Sequence, residues 1–353
     1  MWNRRRILRA AAGAAAAGGV FAAAGRPVDE DTPGNAKVAH IIPSGASDDF
    51  LLFCKQIGLR WARLNYSGDP GAAAVGAVQK RFEQYGIRIY SATHPIYRSL
   101  RIQLGQPGRD EDIETYRTFL RSLGTLGIGV APYDFHPANT YTTAVVERRG
   151  YKAREFKESD FRSKIEKRRF DREYSAADIW AFYTYFVKAA LPVAEEAGVR
   201  LALHPDDPPL AMMNGVAKLF IHYDGYRKAE EIAGSSKHWG LRLCVGTWAE
   251  GGSRMGKDVF GMIRDFGGRG KIFDVDFRNV SGVMPHFVEA FLDDGDLDMY
   301  RVMRALREVK YASGLVPDHI PQLAGDTGER RAGLAYSIAW MRSLLRRANA
   351  EAG

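Results

Sequence analysis

Eight short apolar segments, each followed by a stretch long enough for a helix, constrain this chain more than any other feature. They are Lys37–Pro43, Gly58–Tyr66, Ile87–His94, Gly127–Phe135, Arg200–Pro205, Leu241–Trp248, Lys271–Val280 and Gly314–His319. Apolar runs of this length, bounded by turn residues, read as strands buried on both faces. Asp48–Ile57, Asp110–Leu126, Ala176–Ala197, Gly215–Ala233 and Pro285–Val309 read as helices. In one of them Ile179, Phe182, Phe186 and Ala190 recur at helical spacing and form an apolar face. Strand and helix alternating eight times predict an α/β fold, the (β/α)8 TIM barrel. A chain of 353 residues can bury such a core as one domain, here 37–350, and no linker divides it.

The charge balance of +8 is partly an effect of the N-terminus. Arg4, Arg5, Arg6 and Arg9 lie in the first 24 residues with no acid among them, and setting those four aside leaves a surplus of four. That surplus is too mild for nucleic acid and suits solubility or a small anionic ligand. The stretch Asn3-Arg4-Arg5-Arg6-Ile7-Leu8-Arg9 precedes a small-residue apolar run that ends Ala22-Ala23-Ala24 before Gly25. It resembles a bacterial twin-arginine signal peptide with an Ala-x-Ala cleavage site. The expected organisation is therefore a signal peptide over 1–24, a short linker over 25–36, and the barrel. The run is too short and too rich in Ala and Gly to span a bilayer, which takes about 20 strongly apolar residues. The expected address is periplasmic or exported, reached through the twin-arginine machinery, with no stable membrane insertion after cleavage. That machinery carries folded proteins, which suits one that acquires a metal before leaving the cytoplasm. The two cysteines, Cys54 and Cys244, invite a disulfide in an exported chain, but Cys54 reads as helical and Cys244 as mid-strand, which points to different uses.

One connection is too long for a plain barrel. Residues 137–173 separate the fourth strand from its helix, and 147–173 hold eleven Lys or Arg against seven Asp or Glu. On a barrel this insertion emerges at the C-terminal face, where it is either a functional cover or a solvated excursion. Chemistry in such barrels gathers at the same face. The strand ends there carry His94, His136, His204, Cys244, Asp276 with Arg278 and Asn279, and Asp318 with His319. Singly, a strand cysteine is a small core hydrophobe and Asp276 or Asp318 a helix cap. Together His204, Cys244, Asp276 and Asp318 offer an imidazole, a thiolate and two carboxylates, a set suited to one divalent ion.

The pieces Leu104-Gly105-Gln106-Pro107-Gly108-Arg109-Asp110, His204-Pro205-Asp206-Asp207-Pro208-Pro209, Leu243-Cys244-Val245-Gly246-Thr247 and Arg278-Asn279-Val280 resemble the mannonate dehydratase family. So do Asp294-Gly295-Asp296-Leu297-Asp298-Met299-Tyr300 and Pro317-Asp318-His319. The resemblance runs from the first strand to the C-terminus and keeps the order and spacing of the motifs. It implies a barrel that binds Mn2+ and dehydrates D-mannonate to 2-keto-3-deoxygluconate. It places metal ligands on His204, Cys244 and Asp318 and the catalytic histidine on His319. Two positions depart from it. The family's remaining histidine ligand is Asp276 here, a harder ligand that keeps Mn2+, Mg2+ or Fe2+ favoured over Zn2+. The family's tyrosine after Pro-Asp-His falls on alanine in Arg330-Arg331-Ala332-Gly333-Leu334-Ala335-Tyr336, with Tyr336 out of register.

Dehydration of a sugar acid needs a base for the C2 proton and an acid for the departing C3 hydroxyl. His319 is expected to fill one role, or else to orient Asp318. His136, His94 and Tyr336 are candidates for the other; His136 is read as catalytic, and His94 and Asn279 as substrate contacts. Arg278 is expected either to clamp the substrate carboxylate bidentately or to form a structural ion pair. The expected function is thus a metal-dependent hydro-lyase acting on an anionic sugar acid. A sugar isomerase or epimerase on the same barrel and a non-catalytic periplasmic binding protein are the alternatives. A homo-oligomer stays open.

Overall fold

The structure, a computed structural model, describes residues 29–137 and 141–352. The expected signal peptide over 1–24 and the start of the expected linker, through residue 28, lie outside the described residues. Eight parallel strands close into a barrel: Lys37–Pro43, Trp61–Asn65, Arg88–Thr93, Val130–Tyr133, Arg200–Leu203, Trp239–Cys244, Ile272–Asp276 and Gly314–Val316. Each pairs with its sequence neighbours, and the first closes on the eighth. Every apolar segment but the sixth contains its strand, and the sixth strand begins two residues before its segment, at Trp239.

The surrounding helices begin where the sequence supplies caps. Ser175 and Asp178 form a reciprocal capping box at the start of Ala176–Glu196. Ile179, Phe186 and Ala190 of that helix are buried, and Phe182 is half-buried. Ser47 caps Asp48–Gln56, and Asp298 caps Met299–Glu308. Among the described residues no helix is long and apolar enough to cross a membrane.

Three expectations are corrected. Pro285–Val309 is not one helix: His286–Ala290 is a strand, and the helix starts only at Met299. Gly215–Ala233 opens with a short hairpin, Met212–Met213 with Val216–Ala217, before the helix Tyr223–Ile232. Cys244 is not mid-strand, since it ends the sixth strand and caps the helix Val245–Gly251. In each case tertiary pairing or a buried turn overrides a local apolar period that strand and helix share. Cys54 and Cys244 are both buried and free.

The described residues of the long insertion lie on the barrel. Ala144–Arg148 and Tyr151–Lys157 form a hairpin that joins His286–Ala290 and Asn279–Val283 in a four-stranded antiparallel sheet. Several of its charges fix it in place. Arg148 and Tyr151 hold Asp294, Arg149 holds Asp293, and Glu155 meets His286 at 2.7 Å. Lys152 bridges through its backbone to Gln322, beyond the eighth strand. Phe156 stacks on Phe287 with ring centroids 5.7 Å apart.

Most barrels of this kind fill their interior with branched apolar side chains. Here one layer is ionic. Arg63 donates to Asp274 at 2.9 Å and to Asp276 at 2.8 Å, and Tyr90 donates to Asp274 at 2.7 Å. Arg242, across from Asp274 in register, completes a set of two cations and two anions. The Tyr90 ring reaches so far across the lumen that a Cβ on Gly314 would overlap it. Gly314→Ala is expected to cost about 1–3 kcal/mol by overpacking. An unshifted urea midpoint would show that the ring can move aside.

Candidate metal centre and active site

The site is built by register. Cys244 and Asp276 are direct partners across the sixth and seventh strands, so their side chains emerge side by side. His204 follows the fifth strand at the same rim. One donor atom from each of His204, Cys244 and Asp276 lies within 4.8 Å of the others, and all three residues are buried. Nε2 of His204 and Oδ2 of Asp276 are 3.2 Å apart, yet both are buried without an aligned hydrogen bond. Unsatisfied buried lone pairs facing one point are what a metal site requires, so these residues fit a divalent ion.

The charges around them serve the same end. Burial, then Arg242, pushes the His204 pKa down, which keeps the imidazole neutral as a ligand must be. Burial alone would raise Asp276, but Arg242 and Arg63 hold it well below the usual carboxylate range. Arg242 Nε lies 2.7 Å from Oδ2 without hydrogen-bond alignment, so the contact is electrostatic and leaves the lone pair open. Burial pushes the Cys244 thiol up to about 12 against the pull of Arg278. Thr247 Oγ1 donates to its sulfur at 3.1 Å and Arg278 Nε at 3.3 Å, both favouring the thiolate that a metal ligand must become.

Asp318 stands beside this group and not within it. Its Oδ2 lies 4.0 Å from Arg278 Nε and 3.4 Å from His319 Nε2. His319 donates from Nδ1 to Glu289 at 2.6 Å, and its backbone is held at φ 49°, a strained conformation for a non-glycine residue. Burial would lower its pKa, but Asp318 and Glu289 raise it above the ordinary histidine value.

Arg278 is fully committed. Its guanidinium donates to Cys244, Glu250, Glu289, Asp207 and Thr247, and it is 1% exposed. That is the structural ion-pair alternative, and no donor is left for a substrate carboxylate. A Cβ on Gly246 would strike this guanidinium, so the glycine after Val245 makes room for it. Asn279 is likewise spent on the Leu292 and Leu297 carbonyls and on backbone N–H groups. His94 uses both ring nitrogens, on Gly68 O and Ile96 N. His136 contacts Asp134 at 3.3 Å through Nε2, and its Nδ1 is buried without a partner. Tyr336 lies 37% exposed on the final helix, edge-on to Phe291.

His319 opens into a small cavity roofed by the cap sheet. Asp207 lines it from the barrel, and Tyr141, Arg154, Phe156, Phe287 and Glu289 from the cap. Its volume is about 10 Å3, room for roughly one water. Beneath it sits a carboxyl pair that the sequence did not reveal. Burial, then the neighbouring Asp207, raises the Glu250 pKa far above the carboxylate range, so Glu250 is held protonated. Asp207, though buried, is drawn down by Arg278 and His319 and stays ionised. Sequence signals for the missed residues existed. Arg63, Arg242 and Asp274 are charges inside otherwise apolar strand runs, which burial forbids unless they pair.

A closed barrel with a buried His/Cys/Asp cluster, a tethered histidine above it and a cap over both defines a metal-competent α/β barrel. Residues 74–350 match the family described as D-mannonate dehydratase (UxuA). The chain is 28% identical over 286 residues to mannonate dehydratase 2 of Halalkalibacterium halodurans, covering 73% of this chain and 81% of that protein. The crystal structure of mannonate dehydratase from Streptococcus suis serotype2 superposes with a TM-score of 0.81 at 26% identity, covering 90% and 96% of the two chains. L-ribulose 3-epimerase, at 16% identity and a TM-score of 0.58 over 90% and 97%, shares the fold alone. The chain belongs to the mannonate dehydratase family of carbon–oxygen lyases.

Proposed function

We propose that this protein is a divalent-metal-dependent dehydratase that converts D-mannonate, or an aldonate close to it, to a 2-keto-3-deoxy acid and water. The observation that carries this reading is the convergence of His204, Cys244 and Asp276 within 4.8 Å beside His319. Those three residues, with Asp318 beside them, would hold the ion; Mn2+ fits best, with Mg2+ and Fe2+ also compatible. When bound, the ion supplies Lewis-acid stabilisation of the charge that develops next to the substrate carboxylate. His319, whose protonated form Asp318 and Glu289 favour against burial, is suited to give a proton to the departing C3 hydroxyl. Asp207, an ionised carboxylate lining the same cavity, is suited to take the C2 proton. His136, with its free buried Nδ1, is the reserve candidate for that role.

The test is turnover of D-mannonate and a panel of aldonates by Mn2+-reconstituted protein, followed by appearance of the 2-keto-3-deoxy product. Product that chelation suppresses supports the reading. Full metal occupancy without elimination, but with epimerised substrate, would favour the epimerase alternative, which the absent family tyrosine keeps in view. Cys244→Ala is expected to weaken Mn2+ binding by more than the roughly 10–100-fold that loss of a supporting partner costs. Calorimetric titration of the folded variant checks this, and unchanged affinity would remove the thiolate from the ligand set. The Arg4-Arg5-Arg6 leader supports export of the folded barrel to the periplasm. Fractionation of cells expressing the chain with these arginines replaced by lysine tests it, and unaltered export would rule out the twin-arginine route.

A further inference from the structure

We propose that Arg154, on the cap hairpin, is the anchor for the substrate's carboxylate. This rests on the reading of the site as one for sugar acids. The argument begins with charge. The cavity above His319 is lined by three carboxylates, Asp207, Glu155 and Glu289, and each already has a cationic partner. Asp207 and Glu289 face Arg278 at 2.8 and 2.9 Å, and Glu155 faces His286 at 2.7 Å. Arg154 lines the same cavity, and among the described residues its guanidinium joins no ion pair. Its Nε is buried and makes no hydrogen bond. A buried donor with nothing to donate to is costly, and such groups concentrate where a ligand supplies the missing partner.

The other arginines near the site cannot do this work. Arg278 has every nitrogen engaged, and Arg63 and Arg242 are neutralised by Asp274 and Asp276 inside the barrel. The backbone that carries Arg154 is fixed, paired with Val145 across the hairpin and two residues from the Lys152 bridge to Gln322. A rigid backbone with an uncommitted guanidinium is a preorganised carboxylate receptor, able to bind both oxygens in a fork. The insertion thus contributes specificity: it closes the barrel and brings the one uncommitted cation of this cavity.

The test is binding of D-mannonate and of D-mannitol, its neutral counterpart, to the mature Mn2+-loaded protein and to Arg154→Met and Arg154→Lys. A charge-assisted hydrogen bond corresponds to about 10–100-fold in affinity. Wild type is expected to prefer the acid by that factor, Arg154→Met to lose the preference while still binding mannitol, and Arg154→Lys to keep part of it. KM for the acid should rise in Arg154→Met more than kcat falls. A preference for the acid that survives in a folded Arg154→Met would overturn the proposal, as would a wild type that binds acid and alditol equally or binds neither. An acid preference that depends on Arg154 in a protein that eliminates no water would keep the anchor and sink the dehydratase reading instead.

Discussion

Replacing Arg63 with methionine is expected to destabilise the folded protein by about 3–5 kcal/mol, a large fraction of a typical domain's 5–15 kcal/mol. Arg63 is 2% exposed and holds two buried carboxylates at once, Asp274 at 2.9 Å and Asp276 at 2.8 Å. Without it the barrel interior keeps two anions and one cation, Arg242. The uncompensated charge cannot reach water, and burial then pushes the carboxyls up, not down. In the wild type the Asp276 carboxyl is depressed, so its contribution is present above the ordinary carboxylate pKa and lost only as pH falls well below it. In the variant the sign reverses: a raised carboxyl destabilises above its unfolded value, so the deficit should shrink as pH falls through about 4. Urea unfolding of the metal-free proteins across that range checks both statements. The double variant Arg63→Met with Asp274→Leu restores neutrality and should recover most of the loss. A single variant as stable as wild type would mean that the ionic layer is hydrated and not a true buried network.

The same layer shows where the sequence could and could not be read. The strands were legible because burial on both faces leaves continuous apolar runs, and those runs survive in one dimension. The convergence of Cys244 and Asp276 was legible for a related reason, since both end strands that lie side by side. The partners were not. Nothing in the order of residues says that Arg63, on the second strand, crosses the lumen to the seventh, because that contact exists only once the barrel closes. Arg278 illustrates the converse. As a residue it suits a substrate clamp, but the loop after the fifth strand, the end of the sixth, the helix that follows it and the cap bring it five acceptors, and only the closed structure shows that its donors are exhausted. His286–Ala290 read as helix because a run of five residues is too short to show a period of its own. Its identity as a strand comes from a partner, Tyr151–Lys157, more than a hundred residues earlier.

His319→Asn is expected to lower turnover by about 10²–10⁴-fold with metal binding and folding retained, the loss typical of a removed proton-transfer group. Asparagine keeps a donor toward Glu289 and removes the titratable nitrogen that faces Asp318. The more informative measurement is exchange of the substrate's C2 hydrogen with deuterated solvent. If Asp207 takes that proton and His319 serves only the departing hydroxyl, the variant should still exchange C2 hydrogen while forming almost no product. The carbanion-like species would form, find no acid, and recapture a deuteron. Loss of exchange together with loss of product would move His319 to the base role and leave protonation of the hydroxyl to the Glu250–Asp207 pair, where burial already stores a proton on Glu250. Product formed at the wild-type rate would remove His319 from the chemistry altogether. It would then be a residue that holds Asp318 and Glu289 apart. Its strained backbone at φ 49° argues against that outcome, because a purely structural spacer has no need of a conformation that costs about 1–3 kcal/mol.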